Sequence, residues 1–277
     1  IFHEYLRVKE QDTLYKNLEM PVAKVLATME YNGVKPDMEL LDQLSEDMRF
    51  RISKLEKTAV EQAGEEFNLK SPKQLGVVLF EHLGLPVIKK TKTGYSTDVK
   101  VLEELEDKHP LIGTILEHRK LAKLQSTYID GLKPLQNTKT GRIHTRFQQT
   151  VTVTGRLSST DPNMQNIPTR TEEGKQIRKV FVPGEGYDYL MSCDYSQVEL
   201  RILACIAKDE VMLEGFKNDQ DVHARTAAEV FGVPLEEVTA QMRSRAKAVN
   251  FGIVYGISDF GLSQQIKVSR SEAAGYI

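Results

Sequence analysis

Hydrophobic residues recur at helical spacing through the first half of the chain. Over 14–32 the apolar positions follow a helical period that Pro21 interrupts and Asn32-Gly33 ends. Three- and four-residue steps between apolar positions predict four further helices, at 38–62, 72–83, 99–106 and 111–135. Ser71 and Asp98 stand just before two of these helices and are expected to cap them.

The pattern changes after Gly141. Residues 143–153, rich in Thr, Val and Phe, are predicted as a strand, and 179–182 and 189–193 are shorter strand candidates separated by the Pro183-Gly184 turn. Helical spacing resumes over 196–207, 222–231 and 239–257, and the pair Ser269 and Glu272 predicts the start of a last helix. The order of helices, then strands, then helices predicts an α+β fold.

Composition narrows the class of protein. The 277 residues, 40% hydrophobic and 27% charged, are typical of a soluble globular chain of about two domains. No apolar run reaches the roughly 18 residues of a membrane span, and the start lacks a signal-peptide pattern. With two cysteines, Cys193 and Cys205, we expect reduced thiols and a cytoplasmic location. The net charge of −2 gives no global attraction to polyanions, so nucleic acid would need local basic patches.

Three such patches are present. Lys89, Lys90 and Lys92 surround a glycine-containing turn, a second group of basic residues occupies 119–146, and an acid-free stretch from Val238 to Ser258 contains three cations. A single charge run is usually a solvated face. Three separate runs favour a phosphate-binding surface without deciding the matter.

Asp194 is the first candidate for chemistry. The predicted strand 189–193 would deliver it to a sheet edge, where a carboxylate can hold Mg²⁺, an ion that prefers oxygen ligands. Two-ion catalysis needs at least a second carboxylate. The structural alternatives are that Asp194 caps the following helix and that Ser196 and Glu199 form a capping box.

A stripe of side chains on helix 239–257 is the second candidate. Arg243, Lys247, Phe251 and Tyr255 are four residues apart, so each is displaced by about 40° around the helix axis. Two cations followed by two rings suit a nucleoside triphosphate, with its phosphates at the cations and its sugar and base at the rings. If the stripe faced a core instead, both cations would be buried unpaired, which is costly.

The third candidate is the polar stretch 154–168. Its side chains Arg156, Asn163, Gln165 and Asn166 can reach base edges and sugar oxygens in a minor groove, although a surface loop is the alternative. His223 either faces phosphate or is an ordinary residue at a helix start. Without a Cys or His cluster at ligand spacing, we expect no zinc site.

Three blocks together carry a family resemblance. DYSQVELR at 194–201, RSRAKAVNFGIVYG at 243–256 and TGRLSSTDPNMQNIP at 154–168 resemble conserved blocks of the bacterial A-family DNA polymerases, in wording similar to the Bacillus-like members. The resemblance implies template-directed DNA synthesis in replication and repair, with two Mg²⁺ ions as cofactors and primer–template DNA and dNTP as partners. It further implies a monomer in the bacterial cytoplasm, associated with the nucleoid.

The resemblance also implies a role for individual residues. Glu199 would exclude a ribose 2′-hydroxyl, Phe251 would pack under the incoming sugar and disfavour dideoxynucleotides, and Tyr255 would stack at the templating position. The implied catalytic residues are Asp194, Arg243 and Lys247; the metal ligands are Asp194 and Tyr195; and the dNTP contacts are Arg243, Lys247, Phe251, Tyr255, His223, Glu199 and Gln197. The implied DNA contacts are Arg156, Asn163, Gln165, Asn166, Lys89, Lys90, Lys92, Lys123, Ser126 and Thr127.

In that family the polymerase is a right hand with a helical thumb, an antiparallel palm and helical fingers. The implied segments are an upstream exonuclease-like tail and junction at 1–20, palm start at 21–45, thumb at 46–135, partial palm at 136–209 and truncated fingers at 210–277. The family's His-Asp-Glu block, with the second metal-binding carboxylate, would follow residue 277, so we expect residues 1–277 alone to be inactive.

Two alternatives stay open. The chain could be a non-catalytic fragment that binds primer–template DNA. A single-subunit RNA polymerase would share the cation and aromatic stripe, but the Glu199 carboxylate would clash with a ribose 2′-hydroxyl.

Overall fold

A computed structural model describes residues 2–92, 94–169, 171–266 and 268–277. The chain divides after Met191 into two compact units, Ile1–Met191 and Ser192–Ile277, here called unit 1 and unit 2. No helix in the described ranges has both the length and the apolar character needed to cross a bilayer.

Helices form most of both units. The α-helices of unit 1 are α1 Phe2–Val8, α2 Asp12–Leu14, α3 Met20–Asn32, α4 Met38–Ala63, α5 Pro72–Val77, α6 Val99–Glu104, α7 Pro110–Leu124 and α8 Glu172–Lys179. Those of unit 2 are α9 Val198–Ala207, α10 Glu210–Lys217, α11 Val222–Phe231, α12 Ala240–Val254, α13 Asp259–Ile266 and α14 Arg270–Tyr276. Short π-helical turns at Tyr15–Glu19, Val78–His82 and Gln125–Ile129 and 3₁₀ turns at Lys133–Leu135, Met164–Asn166 and Leu235–Glu237 complete the helical segments.

The strands are short and pair within unit 1. They are β1 Lys35–Pro36, β2 Lys90–Thr91, β3 Gly94–Tyr95, β4 Arg146–Gln148, β5 Ser158–Thr160 and β6 Phe181–Val182. Three two-stranded antiparallel sheets result, β1 with β6, β2 with β3 and β4 with β5, the last in the register Phe147 to Ser159. Helices with small antiparallel sheets confirm the predicted α+β class.

Local sequence signals account for the helix ends. Asp37 accepts a hydrogen bond from the Leu40 N–H at 3.0 Å to start α4, and Gly64 ends it in the left-handed conformation. Ser71 caps α5 as predicted, through a 3.4 Å bond from Gln74 N. The prediction for Asp98 was wrong: its carboxylate makes no capping bond to the described part of α6 and lies 3.6 Å from the Lys89 ammonium instead.

Pro21 does not break the first helical segment. The π-helical turn at Tyr15–Glu19 precedes it, and the Met20 N–H bonds back to the Tyr15 carbonyl. Pro21 then falls in the first turn of α3, directly after the π-helical turn. The predicted interruption is therefore accommodated within a continuous helical stretch.

Two hydrophobic clusters stabilise unit 1, and α7 contributes to both. Its N-terminal half packs Ile112 and Ile115 into a cluster with α5 and α6. Its C-terminal half packs Leu121 and Leu124 into a second cluster with α4 and α8. α7 therefore connects the two clusters of this unit.

The predicted strands were mostly wrong in extent. Of 143–153 only Arg146–Gln148 is a strand, and of 179–182 only Phe181–Val182, because α8 continues to Lys179. Residues 189–193 pair with no other part of the described chain, and Tyr189 and Met191 are each 86% exposed. A strand forms only where another backbone satisfies its hydrogen bonds, which the apolar pattern alone does not guarantee.

Unit 2 is a bundle of short helices. α11 packs against α12, and Gly232 ends α11 in the left-handed conformation. One core cluster combines Val249 of α12 with Leu262 and Ile266 of α13. The predicted capping box of Ser269 and Glu272 is present at the start of α14, with both of its hydrogen bonds formed.

Leu79 tests the first cluster of unit 1. It is fully buried, so Leu79→Ala should lower the free energy of unfolding by about 2–5 kcal/mol through lost burial and the cavity left behind. Val99→Ala, at a residue that is 52% exposed, is the control and should change it by about 0.5 kcal/mol or less. Urea unfolding followed by far-ultraviolet circular dichroism measures both, and equal effects would contradict the assigned core.

Candidate functional site

The stripe on α12 is continuous and faces outward. Arg243 and Lys247 are exposed, Phe251 is half-buried and Tyr255 is 65% exposed. The rings of Phe251 and Tyr255 are stacked with centroids 6.3 Å apart, and the Lys247 ammonium lies 5.8 Å from the Phe251 centroid. The core-facing alternative is therefore wrong for the two cations. The helix itself ends at Val254, earlier than predicted, so Tyr255 is its C-cap.

Arg243 is held by a carboxylate of the neighbouring helix. Its Nε lies 2.5 Å from Asp221 Oδ2, while Asp221 Oδ1 accepts bonds from the backbone N–H groups of His223 and Ala224 at the start of α11. Burial acts to raise the pKa of Asp221, but these hydrogen bonds outweigh it and hold the pKa below its ordinary value. Asp221 thus caps α11 and orients the guanidinium on α12.

His223 is buried against the stripe. It is 1% exposed, its ring centroid lies 5.8 Å from that of Phe251, and its Nδ1 lies 3.0 Å from the Asn250 amide nitrogen. Burial lowers the pKa of His223, Asp221 opposes that shift, and the cations Arg243 and Lys247 add to it. The ring is therefore neutral near pH 7.

Glu199 and Tyr255 meet in unit 2. Glu199 lies in the first turn of α9, and its carboxylate accepts a hydrogen bond from the Tyr255 hydroxyl at 3.0 Å. The capping-box alternative was wrong, because the residue that precedes α9 is Gln197 rather than Ser196. Gln197 has a left-handed backbone with φ of 51°, and its buried Oε1 has no hydrogen-bond partner among the described residues.

Asp194 and Tyr195 lie in the irregular segment that leads into α9. Both are exposed, and no strand delivers Asp194 to a sheet edge, which corrects the predicted geometry. Asp194 also makes no cap of α9. A five-residue connection spans at most about 18 Å, so Asp194 stays within that reach of Glu199. Within the part of the chain that the structure describes, no three His, Cys, Asp or Glu side chains are grouped as metal ligands would be.

The polar stretch 154–168 is partly regular in structure rather than a simple loop. It contains strand β5 and the 3₁₀ turn Met164–Asn166, which Asn163 caps by accepting from the Gln165 N–H at 3.0 Å. The buried Ser159 hydroxyl donates to Asn163 Oδ1 at 3.2 Å and accepts from the Met164 N–H at 2.9 Å. Arg156, Gln165 and Asn166 are all exposed.

A crevice of about 400 Å³ lies between this stretch and the end of α7. Lys123 and Thr127 line one side, and Asn163 and Asn166 line the other. The Tyr128 hydroxyl donates to the Asn166 carbonyl and fixes the two segments together. Ser126 is exposed beside Lys123 and donates to its carbonyl at 3.3 Å. Four side chains predicted from two separate segments as DNA contacts therefore share one surface of unit 1.

The lysine turn is a β-hairpin. Lys89, Lys90 and Lys92 are exposed around strands β2 and β3, and the Lys90 ammonium lies 5.9 Å from the Tyr95 ring centroid. The remaining turn residue at the tip, Thr93, lies outside the described residues.

Much of the basic run 119–146 has a structural role. The Arg119 guanidinium donates to the carbonyl and hydroxyl of Thr97, and Lys120 pairs with Glu117 at 2.8 Å and Glu173 at 3.3 Å. Lys133 pairs with Asp42 at 2.5 Å. The interpretation of the whole run as one phosphate-binding patch was therefore too broad.

Three polar residues of unit 2 were missed by the sequence analysis. The role of Asp221 as the cap of helix 222–231 could have been predicted from its position. Its ion pair with Arg243 could not, because the two residues are distant in sequence. Asn250 and Thr226, whose side-chain atoms lie 3.0 Å apart between α11 and α12, give no local signal. Their contact joins positions 24 residues apart.

The low pKa of Asp221 makes unit 2 sensitive to acid. A carboxyl with a depressed pKa contributes stability above its ordinary pKa, about 3.8, and that contribution is lost as pH falls through the folded value. We expect the free energy of unfolding to fall between about pH 5 and pH 3, and Asp221→Asn to reduce this fall. Part of the fall should remain in the Asp221→Asn variant, because hydrogen bonds also lower the pKa values of Asp259 and Glu272.

Urea unfolding at pH 7 and pH 3.5 measures that difference. Asp209→Asn is the matched control, since Asp209 caps α10 by accepting from the Met212 N–H. If Asp221→Asn unfolds with the same pH dependence as the unaltered chain, the ion pair with Arg243 does not stabilise unit 2.

Comparison with known proteins places the chain in a family. Residues 38–277 match the family described as DNA polymerase family A. DNA polymerase I of Bacillus subtilis (strain 168) is 54% identical over 272 residues, which are 98% of this chain and 31% of that protein. DNA polymerase I of Caldicellulosiruptor bescii is 55% identical over 280 residues, covering 100% of this chain and 33% of that protein. The chain thus spans 31% and 33% of the lengths of these two relatives.

A solved structure agrees with the sequence comparison. The POL domain of Pol1 from M. smegmatis, in complex with DNA primer-template and dNTP, superimposes with a TM-score of 0.92 at 44% sequence identity. The match covers 99% of this chain and 48% of that chain. The resemblance of the three sequence blocks is thereby confirmed, and the chain belongs to DNA polymerase family A.

Proposed function

We propose that this chain is part of an enzyme that copies a DNA template, transferring deoxynucleotides from dNTP to a primer 3′-hydroxyl with release of pyrophosphate. The observation that carries the proposal is the outward-facing stripe of Arg243, Lys247, Phe251 and Tyr255 on α12, joined at its aromatic end to Glu199. Family membership and the bound ligands of the M. smegmatis structure support the same activity.

The two cations would bind the triphosphate. The planar Arg243 guanidinium can bind two phosphate oxygens at once, and Lys247 adds a compact charge one helical turn further along. Because negative charge moves onto the leaving pyrophosphate as its bond breaks, cations fixed beside it lower the barrier. The phosphates must compete for Arg243 with Asp221, whose carboxylate lies 2.5 Å from the Arg243 Nε atom.

The aromatic end of the α12 stripe would contact the sugar and the base of the nucleotide. Phe251 would support the sugar, and its lack of a hydroxyl would disfavour dideoxynucleotides. Tyr255 would occupy the templating position and yield it as the nucleotide enters. Glu199, held by the Tyr255 hydroxyl, would stand where a ribose 2′-hydroxyl would be. Gln197, whose buried carbonyl oxygen has no partner among the described residues, would complete this end of the nucleotide site.

The exposed Asp194 carboxylate fits a Mg²⁺ ligand, since Mg²⁺ binds through one or two carboxylates together with water and substrate phosphates. The main-chain oxygen of Tyr195 would be the second protein ligand, because Mg²⁺ prefers hard oxygen ligands. When bound, two such ions would neutralise phosphate charge and activate the primer hydroxyl. Two-ion catalysis needs a second carboxylate besides Asp194, and the described residues show no group of three His, Cys, Asp or Glu side chains that could hold a metal ion.

The crevice and the hairpin of unit 1 would hold the duplex. Lys123, Ser126 and Thr127 would contact phosphates across from Arg156, Asn163, Gln165 and Asn166 in the minor groove. Lys89, Lys90 and Lys92 would add phosphate contacts from the hairpin. We retain the segment assignment of tail at 1–20, palm at 21–45 and 136–209, thumb at 46–135 and fingers at 210–277. We also propose that the protein acts as a monomer on DNA in the bacterial cytoplasm, at the nucleoid.

The alternative function is primer–template binding without catalysis. The crevice between Lys123 and Asn163 supports this alternative, because it lies entirely within unit 1. DNA could bind there without a metal ion. Release of pyrophosphate by the whole protein encoded by the gene, dependent on Mg²⁺, dNTP and primer–template, separates the two functions.

Lys247 tests the triphosphate site. In the whole protein, Lys247→Gln should lower kcat/KM for dNTP by about 10²–10³-fold, because a fixed charge at the developing pyrophosphate is lost. Lys217→Gln, at an exposed lysine in the last turn of α10, is the control. Single-nucleotide primer extension measures both, and an unchanged rate in Lys247→Gln would overturn the site.

Glu199 tests the choice of sugar. In the whole protein, Glu199→Ala should increase ribonucleotide incorporation relative to deoxynucleotide by about 10²-fold or more, because the group that occupies the 2′ position is removed. Glu199→Gln keeps the size of the side chain and should retain most of the selectivity. Primer extension with matched dNTP and rNTP measures the ratio, and unchanged selectivity in the alanine variant refutes the assignment.

A further inference from the structure

The buried contacts of His223 define where its proton lies. Its Nδ1 is 3.0 Å from Asn250 Nδ2, and that amide nitrogen is also 3.0 Å from Thr226 Oγ1. The Thr226 hydroxyl lies 2.9 Å from the Val222 carbonyl oxygen, one turn back in α11. These groups form a single chain of hydrogen bonds between α11 and α12.

The donor and the acceptor of each hydrogen bond in this series follow from the groups that can only accept. The Val222 carbonyl and the Asn250 Oδ1 atom can only accept, so the single Thr226 proton goes to one of them. The Asn250 amide then donates one hydrogen to the Thr226 oxygen and its other hydrogen to His223 Nδ1. The Asn250 Oδ1 atom, 3.1 Å from the same hydroxyl, offers a competing acceptor, yet Nδ2 faces the histidine in either case.

A nitrogen that accepts a hydrogen bond carries a lone pair. Nδ1 of His223 is therefore unprotonated, and the ring proton lies on Nε2. The surroundings of the ring favour the same state: burial opposes a positive charge on the ring, Arg243 and Lys247 of α12 do likewise, and Asp221, which caps α11, opposes these effects only in part.

We propose that Asn250, supported by Thr226, is a positioning residue that keeps His223 in the neutral Nε2–H form and so presents one uncharged N–H donor beside Arg243 and Lys247. This inference rests on the proposed function, since the donor matters for a triphosphate bound along α12. Two neighbouring cations already supply charge there. A neutral donor of fixed direction would orient one phosphate oxygen without the cost of a buried positive charge beside these two exposed cations.

Nuclear magnetic resonance tests the tautomer without reference to any activity. Long-range ¹H–¹⁵N correlation spectra of the histidine-labelled 277-residue chain distinguish the Nε2–H, Nδ1–H and cationic forms, and the His223 signal is identified by its loss in His223→Gln. The expected result at pH 7 is Nε2–H. An Nδ1–H or cationic His223 in the unaltered chain overturns the proposal, whatever the protein does with nucleotides.

Variants of Asn250 and Thr226 test whether these two residues determine the tautomer of His223. Asn250→Asp replaces the donor with an acceptor, so Nδ1 should become protonated and the titration midpoint should rise by about one pH unit or more. Thr226→Val lets the amide rotate and should mix the two neutral forms, whereas Thr226→Ser keeps the hydroxyl and should restore the original spectrum. Circular dichroism verifies folding, and an unchanged Nε2–H signal in a folded Thr226→Val or Asn250→Asp chain contradicts the role of Asn250.

Kinetics of the whole protein test whether the tautomer of His223 affects dNTP binding. Thr226→Val adds no charge and should raise KM for dNTP about three- to tenfold with little change in kcat, and Thr226→Ser should reverse that rise. If the tautomer shifts as expected but KM is unchanged while Lys247→Gln is impaired, the positioning role is refuted. If Lys247→Gln is also unimpaired, it is the proposed function that fails, and the spectra still decide the tautomer.

Discussion

The packing of α11 against α12 is the interaction on which the proposed nucleotide site depends. Asp221 binds two backbone N–H groups at the start of α11 and the Arg243 guanidinium on α12. His223 and Thr226 of α11 meet Asn250 of α12. These polar contacts have defined directions, so they fix the rotation of α12 about its axis in a way that apolar packing alone does not. That rotation decides that Arg243 and Lys247 face outward.

The basic residues divide into structural and exposed groups. In unit 1, Arg119, Lys120 and Lys133 are engaged with Thr97, Glu117 and Asp42, while Lys123 remains exposed at the crevice. In unit 2, Arg245 donates to the Ile266 carbonyl, two residues from Arg243 in sequence but on another face of the helix. In both units, therefore, some basic side chains form contacts within the protein and others remain exposed.

Several helices and some of their caps could be predicted from sequence because the signals are local, although the Asp98 cap was wrong. Met38–Ala63, the Ser71 cap and the capping box at Ser269 follow from the apolar spacing and from residues three or four positions apart. The strands could not be predicted as well. Residues 143–153 and 189–193 were both predicted as strands, but of these only Arg146–Gln148 pairs as a strand, because strand pairing joins residues distant in the chain.

The sequence by itself determined which residues share a helix face, since a spacing of four places Arg243, Lys247, Phe251 and Tyr255 together on any α-helix. It also determined the family, through three blocks in order. Only the tertiary structure decided that this face is exposed, that Glu199 meets Tyr255, that Asn250 meets His223, and that Lys123 shares a crevice with Asn163. Those pairings join side chains that no local pattern connects, and they form only when separate helices and loops pack together.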